Sequence, residues 1–370
     1  MVLHSHCRTQ GAAGNWCATP VVLLATLLLG GCSAGHYAHL IRGHYELLSR
    51  RVPISELLAD PATPDSLRAS LREVQAARAF SVATMRLPDN GSYTQYADLG
   101  RPYVQWSVFA APELSLEPRQ WCYLWFGCFA YRGYYDEVRA RNDASALAAD
   151  GYETYVGGIR AYSTLGWFDD PVLNTMLSGP SERTAGLLFH ELAHQRLHVR
   201  DDTAFNESFA AFVGRQGVRE FLRGQPARLA AWQVGLERTI RLAALMLETR
   251  AMLESVYLSA ADDDTKRQLK RDAFAGLREH YAVLRGEWGG AGEFDGWFSD
   301  PLNNARLLPF GLYERWVPAF AALYRQAGSD WPAFYRLCEE LAQLESAPRQ
   351  AALDRLLNPD YDEGRTTKGQ

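Results

Sequence analysis

The residues best placed to do chemistry lie in one short segment, LLFHELAHQRLHVRDDTAFNESFAAF, at 187–212. His190 and His194 stand four residues apart in a run of good helix formers that can begin at Pro180-Ser181. Their rings should therefore project from one helix face, about one turn apart, as two ligands of one zinc ion require. Glu191 can then reach a water on the zinc without being a ligand, so the pattern predicts a zinc site with a general base for amide hydrolysis. The alternative is a histidine pair packed in the core.

A catalytic zinc site usually has three protein ligands and keeps one position for water, so a third ligand is expected further along the chain. Asp202 or Thr203 could cap a second helix whose early turn brings Glu207 back towards the histidines. His198 competes, one further turn along the first helix. The outer two of three ligands on one straight helix would lie ~12 Å apart, which favours Glu207 over His198.

Two further predictions concern the substrate. Tyr162, Ser163 and Thr164, if on the strand or loop just before the zinc helix, could give backbone hydrogen bonds to an extended peptide, although a strand edge packed on the helix is an equal alternative. Tyr313 could donate to the oxyanion that forms during hydrolysis. The other candidates for that role are His280 and Tyr281.

The elements that must position these residues are mostly helical. Periodicity predicts helices at 36–58 and 66–80, short strands within 81–130 and at 152–165, and an almost wholly helical chain from Ser181, with a hairpin of helices at 227–259 and 264–286 and a last group at 305–357. The predicted fold is α+β and predominantly helical. It has one small sheet in a mixed part at 32–180, and a helical part at 181–370 carries the zinc motif.

The N-terminal sequence predicts an export signal. The run Val21 to Leu29 is apolar but too short to cross a bilayer as a helix. It ends in Leu29-Gly30-Gly31-Cys32, which resembles the lipobox of bacterial lipoproteins, so residues 1–31 should be removed and Cys32 should carry the lipid. By resemblance to enterobacterial lipoprotein sorting, an aspartate after the cysteine would favour inner-membrane retention, and Ser33 stands at that position instead. The expected location is therefore the outer membrane, facing the periplasm.

The cysteines bear on the cellular compartment, and the net charge bears on the kind of partner. Cys122 and Cys128 could close a small loop as a disulfide in an oxidising compartment, or remain two buried thiols, while Cys338 in a helical pattern is expected to be packed. The formal net charge is -5, without the strongly basic face that nucleic acid binding requires. Nucleic acid is therefore not an expected partner.

The strings HELAHQ and DTAFNESFA, preceded by YVGGIRAYSTLGWFDDPVL, resemble the predicted-aminopeptidase family of bacterial lipoproteins. The resemblance continues through GCFAYRGYYDE and LNNARLLPFGLYERWVPAF, and so covers nearly all of the mature chain. It implies a zincin-like metallohydrolase fold in which Glu207 is the glutamate ligand beside the HExxH set. The sequence departs from the family pattern at His198, where an aromatic residue is expected, and at His39 and His44, where glutamine is.

These observations favour a zinc peptidase anchored to a membrane through Cys32, acting on peptides in the cell envelope, and the resemblance implies aminopeptidase activity. The alternative is a non-catalytic envelope lipoprotein with a structural zinc site and a surface that binds a partner. The glutamate inside HExxH distinguishes the two, because a structural zinc site does not require it.

Overall fold

A computed structural model of the chain describes residues 35–123, 127–161, 163–164 and 166–357, and gives only the backbone of 311–313. The expected export signal and Cys32 lie outside these residues. The chain divides into two compact units, one ending at Glu46 and one beginning at Leu47. Among the described residues, no helix combines the length and the apolar character needed to cross a bilayer.

The first helix is shorter than its periodicity indicates. Helix α1 covers residues 35–49, and strand β1 (Val52–Pro53) separates it from α2 (Ile54–Ala59). The prediction of one helix over 36–58 is therefore wrong, because Pro53 disfavours the α conformation at Val52, which pairs with Tyr96 instead. The next prediction is confirmed, since α3 runs over Asp65–Ala83.

The described strands form three small sheets, where the sequence predicted one. In the first, β1 pairs with β2 (Gln95–Ala97), which pairs with β8 (Val172–Leu173). In the second, β3 (Gln105–Pro112) lies between β6 (Arg132–Tyr134) and β7 (Tyr152–Ile159), antiparallel to both. The third is the hairpin of β4 (Trp121–Tyr123) and β5 (Gly127–Phe129), closed by a Cys122–Cys128 disulfide. Strand β7 ends at Ile159, six residues before the predicted end.

The two faces of strand β3 pack against different helices. Trp106, Val108 and Ala110 bury one face against α4 (Glu137–Ala149). Phe109 and Ala111 point to the other face, as the period of a strand dictates, and contact α10 (Asn304–Tyr313). Short strands are therefore stabilised by helices on both sides.

The chain from residue 181 to residue 357 is mostly helical, as predicted. Its elements, besides α10, are α5 (Ser181–Arg196), α6 (Thr203–Phe221), α7 (Pro226–Leu258), α8 (Asp263–Glu287), α9 (Asp295–Phe298), α11 (Val317–Gln326), α12 (Trp331–Ala342) and α13 (Ser346–Leu357). Helices α7 and α8 form the predicted hairpin, and the Asp262 carboxylate caps α8 at the Thr265 N–H. The fold is α+β and predominantly helical.

An aromatic core fixes one side of α6. Phe205 and Phe209 are fully buried and pack edge-on against Phe320 of α11. Phe209 also stacks on Phe334 of α12, and Cys338 of the same helix is buried as a free thiol, as predicted. Because these rings hold one face of α6, its other face has a fixed orientation towards α5.

Candidate metal centre

The segment between α5 and α6 returns the chain sharply on itself. Helix α5 ends at Arg196 because Leu197 is extended, with φ -151° and ψ 125°. The Asn206 side chain then accepts from the Val199 N–H at 2.8 Å and donates to the Val199 carbonyl at 2.7 Å. The Asp202 carboxylate caps α6 at the Phe205 N–H, 3.0 Å away, as the sequence predicted for this position. These hydrogen bonds fix the loop that reverses the chain direction between α5 and α6.

Helices α5 and α6 approach closely through two glycines. A Cβ at Gly214 would lie 2.8 Å from the Gly186 carbonyl oxygen and 3.5 Å from Cβ of His190. A Cβ at Gly186 would lie 3.2 Å from a methyl of Val218. Only glycine allows backbones this close, and the close contact brings the first turns of α6 within side-chain reach of the histidines.

The three predicted ligands converge. Nε2 of His194 lies 3.1 Å from Nε2 of His190. Oε2 of Glu207 lies 3.2 Å from Nε2 of His190 and 3.5 Å from Nε2 of His194. Within the described part of the chain, these residues form the one group of three or more metal-binding side chains whose donor atoms all lie within 4.8 Å of one another.

This arrangement fits zinc. Bonds of about 2.0–2.2 Å at tetrahedral angles place neighbouring ligand atoms roughly 3.4 Å apart, and the three observed separations fall within a few tenths of an ångström of that value. Two neutral imidazoles and one carboxylate are also a common catalytic donor set. The Nδ1 atom of His194 is buried without a hydrogen-bond partner among the described residues, so no hydrogen bond at that nitrogen orients the ring.

The electrostatics of the cluster favour an ionised Glu207. Burial raises the pKa of Glu207, but hydrogen bonds from His190 and His194 outweigh burial and hold it well below its usual range. Burial lowers the pKa of His194, and the contacts with Glu207 outweigh that effect and raise it. The group therefore has a carboxylate ready to neutralise part of a cation's charge.

Glu191 stands beside the three ligands. Burial raises the pKa of Glu191, the two histidines oppose this rise, and the nearby Glu207 adds to it. A raised pKa makes a glutamate a better proton acceptor near neutral pH. Glu191 therefore has a raised pKa and lies close enough to the histidines and Glu207 for their charges to act on it.

Two buried groups act on Glu191 from outside the helix pair. Burial raises the pKa of Asp170 to about 6 against hydrogen bonds from Thr164, and the charge of Glu191 adds to the rise. Burial also raises the pKa of the Tyr93 hydroxyl well above its usual value, with further contributions from Glu191 and Asp170. The face of α5 that bears Glu191 is thus lined by a second carboxyl and a phenol.

The remaining predicted residues lie in different surroundings. His198 is exposed beyond the end of α5 and does not belong to the ligand group. Ser163 and Thr164 lie in the loop after β7, where the Thr164 N–H donates to Asp170 at 2.8 Å. Tyr162 lies outside the described residues. Tyr313 ends α10, and the structure does not describe its side chain.

Tyr131 is a residue that the sequence did not indicate. It lies between β5 and β6, with its ring 5.5 Å from Phe109 and 6.3 Å from Phe129, centroid to centroid. Burial raises the pKa of its hydroxyl, and the charges of Glu207 and Glu191 raise it further, which places the phenol near both carboxylates. Only tertiary contacts bring Tyr131 here, so no local spacing could have revealed it.

The hairpin of β4 and β5 also reaches the site. Gly127, with φ +84°, lies so close to the loop between α5 and α6 that a Cβ there would meet the Asp201 carboxylate at 2.2 Å. The disulfide therefore closes a hairpin that packs against the loop preceding the Glu207 helix.

A family model described as a putative aminopeptidase matches residues 35–353. No curated protein and no solved structure matches the chain.

Proposed function

The chain belongs to the putative aminopeptidase family, and from this membership and the geometry of its site we propose that it is a zinc metallopeptidase that hydrolyses peptide bonds. The observation that carries the proposal is the convergence of His190, His194 and Glu207 on one point, with Glu191 beside them. Three protein ligands leave a coordination position for water, whereas structural zinc sites are closed by four. This favours a catalytic zinc over the structural zinc of a non-catalytic lipoprotein.

The chain's own residues divide the chemistry between them. His190, His194 and Glu207 would hold zinc, which supplies Lewis-acid chemistry that polarises an amide carbonyl and makes water acidic near neutral pH. Glu191 takes the proton of the attacking water and passes it to the leaving nitrogen. Its raised pKa suits both steps, because it must accept the proton first and give it up later.

The Tyr131 hydroxyl is the proposed donor to the oxyanion. Its raised pKa keeps it protonated, so that it can donate a hydrogen bond at neutral pH. A hydroxyl preorganised near the metal ligands can stabilise the negative charge that develops on the carbonyl oxygen.

The proposed location is the cell envelope, with a lipid on Cys32 anchoring the protein to the outer membrane on its periplasmic side. The lipobox-like sequence before Cys32 supports this location. The Cys122–Cys128 disulfide supports an oxidising compartment. Cleavage from the amino end, as the family description indicates, is part of the proposal.

A Glu191→Gln variant tests the proposed function. Zinc per chain, measured by elemental analysis, should stay near that of the wild type, while release of amines from a peptide mixture should be lost because the base is gone. Glu237→Gln, a change at an exposed position of α7, is the matched control and should keep full activity. Wild-type activity in Glu191→Gln, or a zinc-loaded wild type that hydrolyses no peptide, would overturn the proposal.

A further inference from the structure

The loop between β7 and β8 exposes two adjacent aromatic residues. Trp167 is 82% exposed and Phe168 is 51% exposed. Isolated exposed apolar side chains are ordinary, but two large exposed aromatic residues that are adjacent in the chain can together offer a binding site. The position of this pair decides what it can bind.

The described residues of the loop are held by hydrogen bonds. The buried Asp170 carboxylate accepts from the Thr164 N–H at 2.8 Å and from the Thr164 hydroxyl at 2.9 Å. The Phe168 N–H donates to that hydroxyl at 3.0 Å, and the Trp167 N–H donates to the Thr164 carbonyl at 3.1 Å. The two rings are therefore presented by a bonded turn, which lowers the entropy lost when a ligand binds them.

The aromatic pair lies next to the helix that carries the candidate base. A Cβ at Gly166, the residue before Trp167, would be 3.6 Å from Oε1 of Gln195. Gln195 is one turn after Glu191 on the same face of α5. Asn90 donates to Gln195 at 2.8 Å, and Gln195 donates to the Ser92 hydroxyl at 3.2 Å, so this side chain is fixed. The turn thus packs beside the Glu191 face of α5.

The charge of the turn distinguishes between two possible ligands, an anionic lipid surface and a peptide substrate. Gly166 to Asp170 reads GWFDD, in which Asp169 is exposed, Asp170 is buried and no residue is basic. Anionic lipid surfaces attract lysine and arginine, so this turn is poorly suited to them. The packing of Gly166 against Gln195 instead places the turn beside the helix that carries Glu191, which suits a peptide substrate better.

We propose that Trp167 and Phe168 bind an apolar side chain of the peptide substrate beside the bond that is cleaved. The inference rests on the proposed function and adds a substrate class, peptides with a large apolar residue next to the scissile bond. Burial of that residue against the two rings would stabilise its complex relative to that of a peptide with a small polar residue in its place.

The test uses the full zinc-loaded protein and two peptides that differ only by leucine or serine beside the scissile bond. In the Trp167→Ala/Phe168→Ala double variant, kcat/KM for the leucine peptide should fall about 10-fold or more, mainly through KM. The serine peptide and the zinc content should be unaffected. Trp167→Phe should keep most of the preference for the leucine peptide, because an aromatic ring remains at that position. Leu258→Ala, at an exposed apolar position of α7, is the matched control.

A binding measurement separates this proposal from the proposed function. The same two peptides are titrated by calorimetry into Glu191→Gln with and without the double substitution, so no turnover is needed. Loss of the leucine preference only when the rings are removed supports the inference. An unchanged leucine preference in the double variant, or an equal loss of binding for both peptides, would overturn it. So would a double variant that keeps the leucine preference but no longer binds phosphatidylcholine vesicles, because the rings would then contact a membrane.

Discussion

The candidate metal ligands and the groups that cover the Glu191 face of α5 are held in place by different means. In the α5–α6 pair, Gly186 and Gly214 allow backbone contact, and the ligands follow from the helix geometry. In the covering segments, side-chain hydrogen bonds such as those of Asp170 and Thr164 fix irregular loops. Helix packing gives a rigid frame for a metal, and loops can change the substrate surface without altering that frame.

Removal of a ligand should have the largest effect. In Glu207→Ala, zinc should no longer be retained at one ion per chain and hydrolysis should be lost, because two imidazoles alone bind zinc weakly. Elemental analysis after dialysis measures the retention. Wild-type zinc content in this variant would show that the α6 helix is not part of the metal frame.

Tyr131→Phe should separate catalysis from metal binding. Loss of one oxyanion donor lowers kcat by about 10²–10³-fold, while the zinc content should not change because the hydroxyl is not a ligand. Tyr155→Phe is the matched control, since its ring also packs against Phe109. Equal kcat values for Tyr131→Phe and the control would exclude the proposed role.

Gly214→Ala should weaken the frame itself. The added methyl would lie 2.8 Å from the Gly186 carbonyl, so the helices must separate. Overpacking costs about 1–3 kcal/mol, against a gain of about 1 kcal/mol from alanine's helix propensity. The free energy of unfolding and the zinc affinity should both fall.

Gly235→Ala is the control for that change. Gly235 lies in α7 with no atom within 4 Å of an added Cβ, so alanine should stabilise the protein by about 0.5–1 kcal/mol. Chemical denaturation of the metal-free proteins compares the two variants. The same sign of change in both would mean that close contact at Gly214 does not position α6.

The smallest expected effect is a pH dependence of the loop region. The pKa of Asp170 is raised from 3.8 to about 6, so its ionised form is disfavoured in the folded protein. Its contribution to the free energy of unfolding should therefore decrease as the pH rises through that interval. In Asp170→Asn this decrease should be absent, as denaturation below and above pH 6 would show. Identical pH profiles for the two proteins would contradict the assignment.

Local spacing made the convergence of the candidate ligands predictable. His190 and His194 needed only the helix period, and Glu207 needed only a short return of the chain with a cap at Asp202. The α7–α8 hairpin followed from periodicity over long segments, where the helical pattern is strongest.

The remaining features depend on tertiary contacts. Tyr131 is brought to the site by packing against Phe109 and Phe129, and the division of the strands into three sheets is set by pairing between distant segments. The first helix was predicted too long because its apolar pattern continues through Pro53, which interrupts the structure.

The most direct test of the metal centre is X-ray absorption at the zinc edge of the loaded protein, compared with the His190→Ala/His194→Ala double variant. The wild type should show only nitrogen and oxygen ligands at about 2.0–2.2 Å with the outer-shell scattering of two imidazoles. The variant should lose that signature together with stoichiometric zinc. A sulfur ligand, or a spectrum that the double substitution leaves unchanged, would contradict a zinc site built from His190, His194 and Glu207.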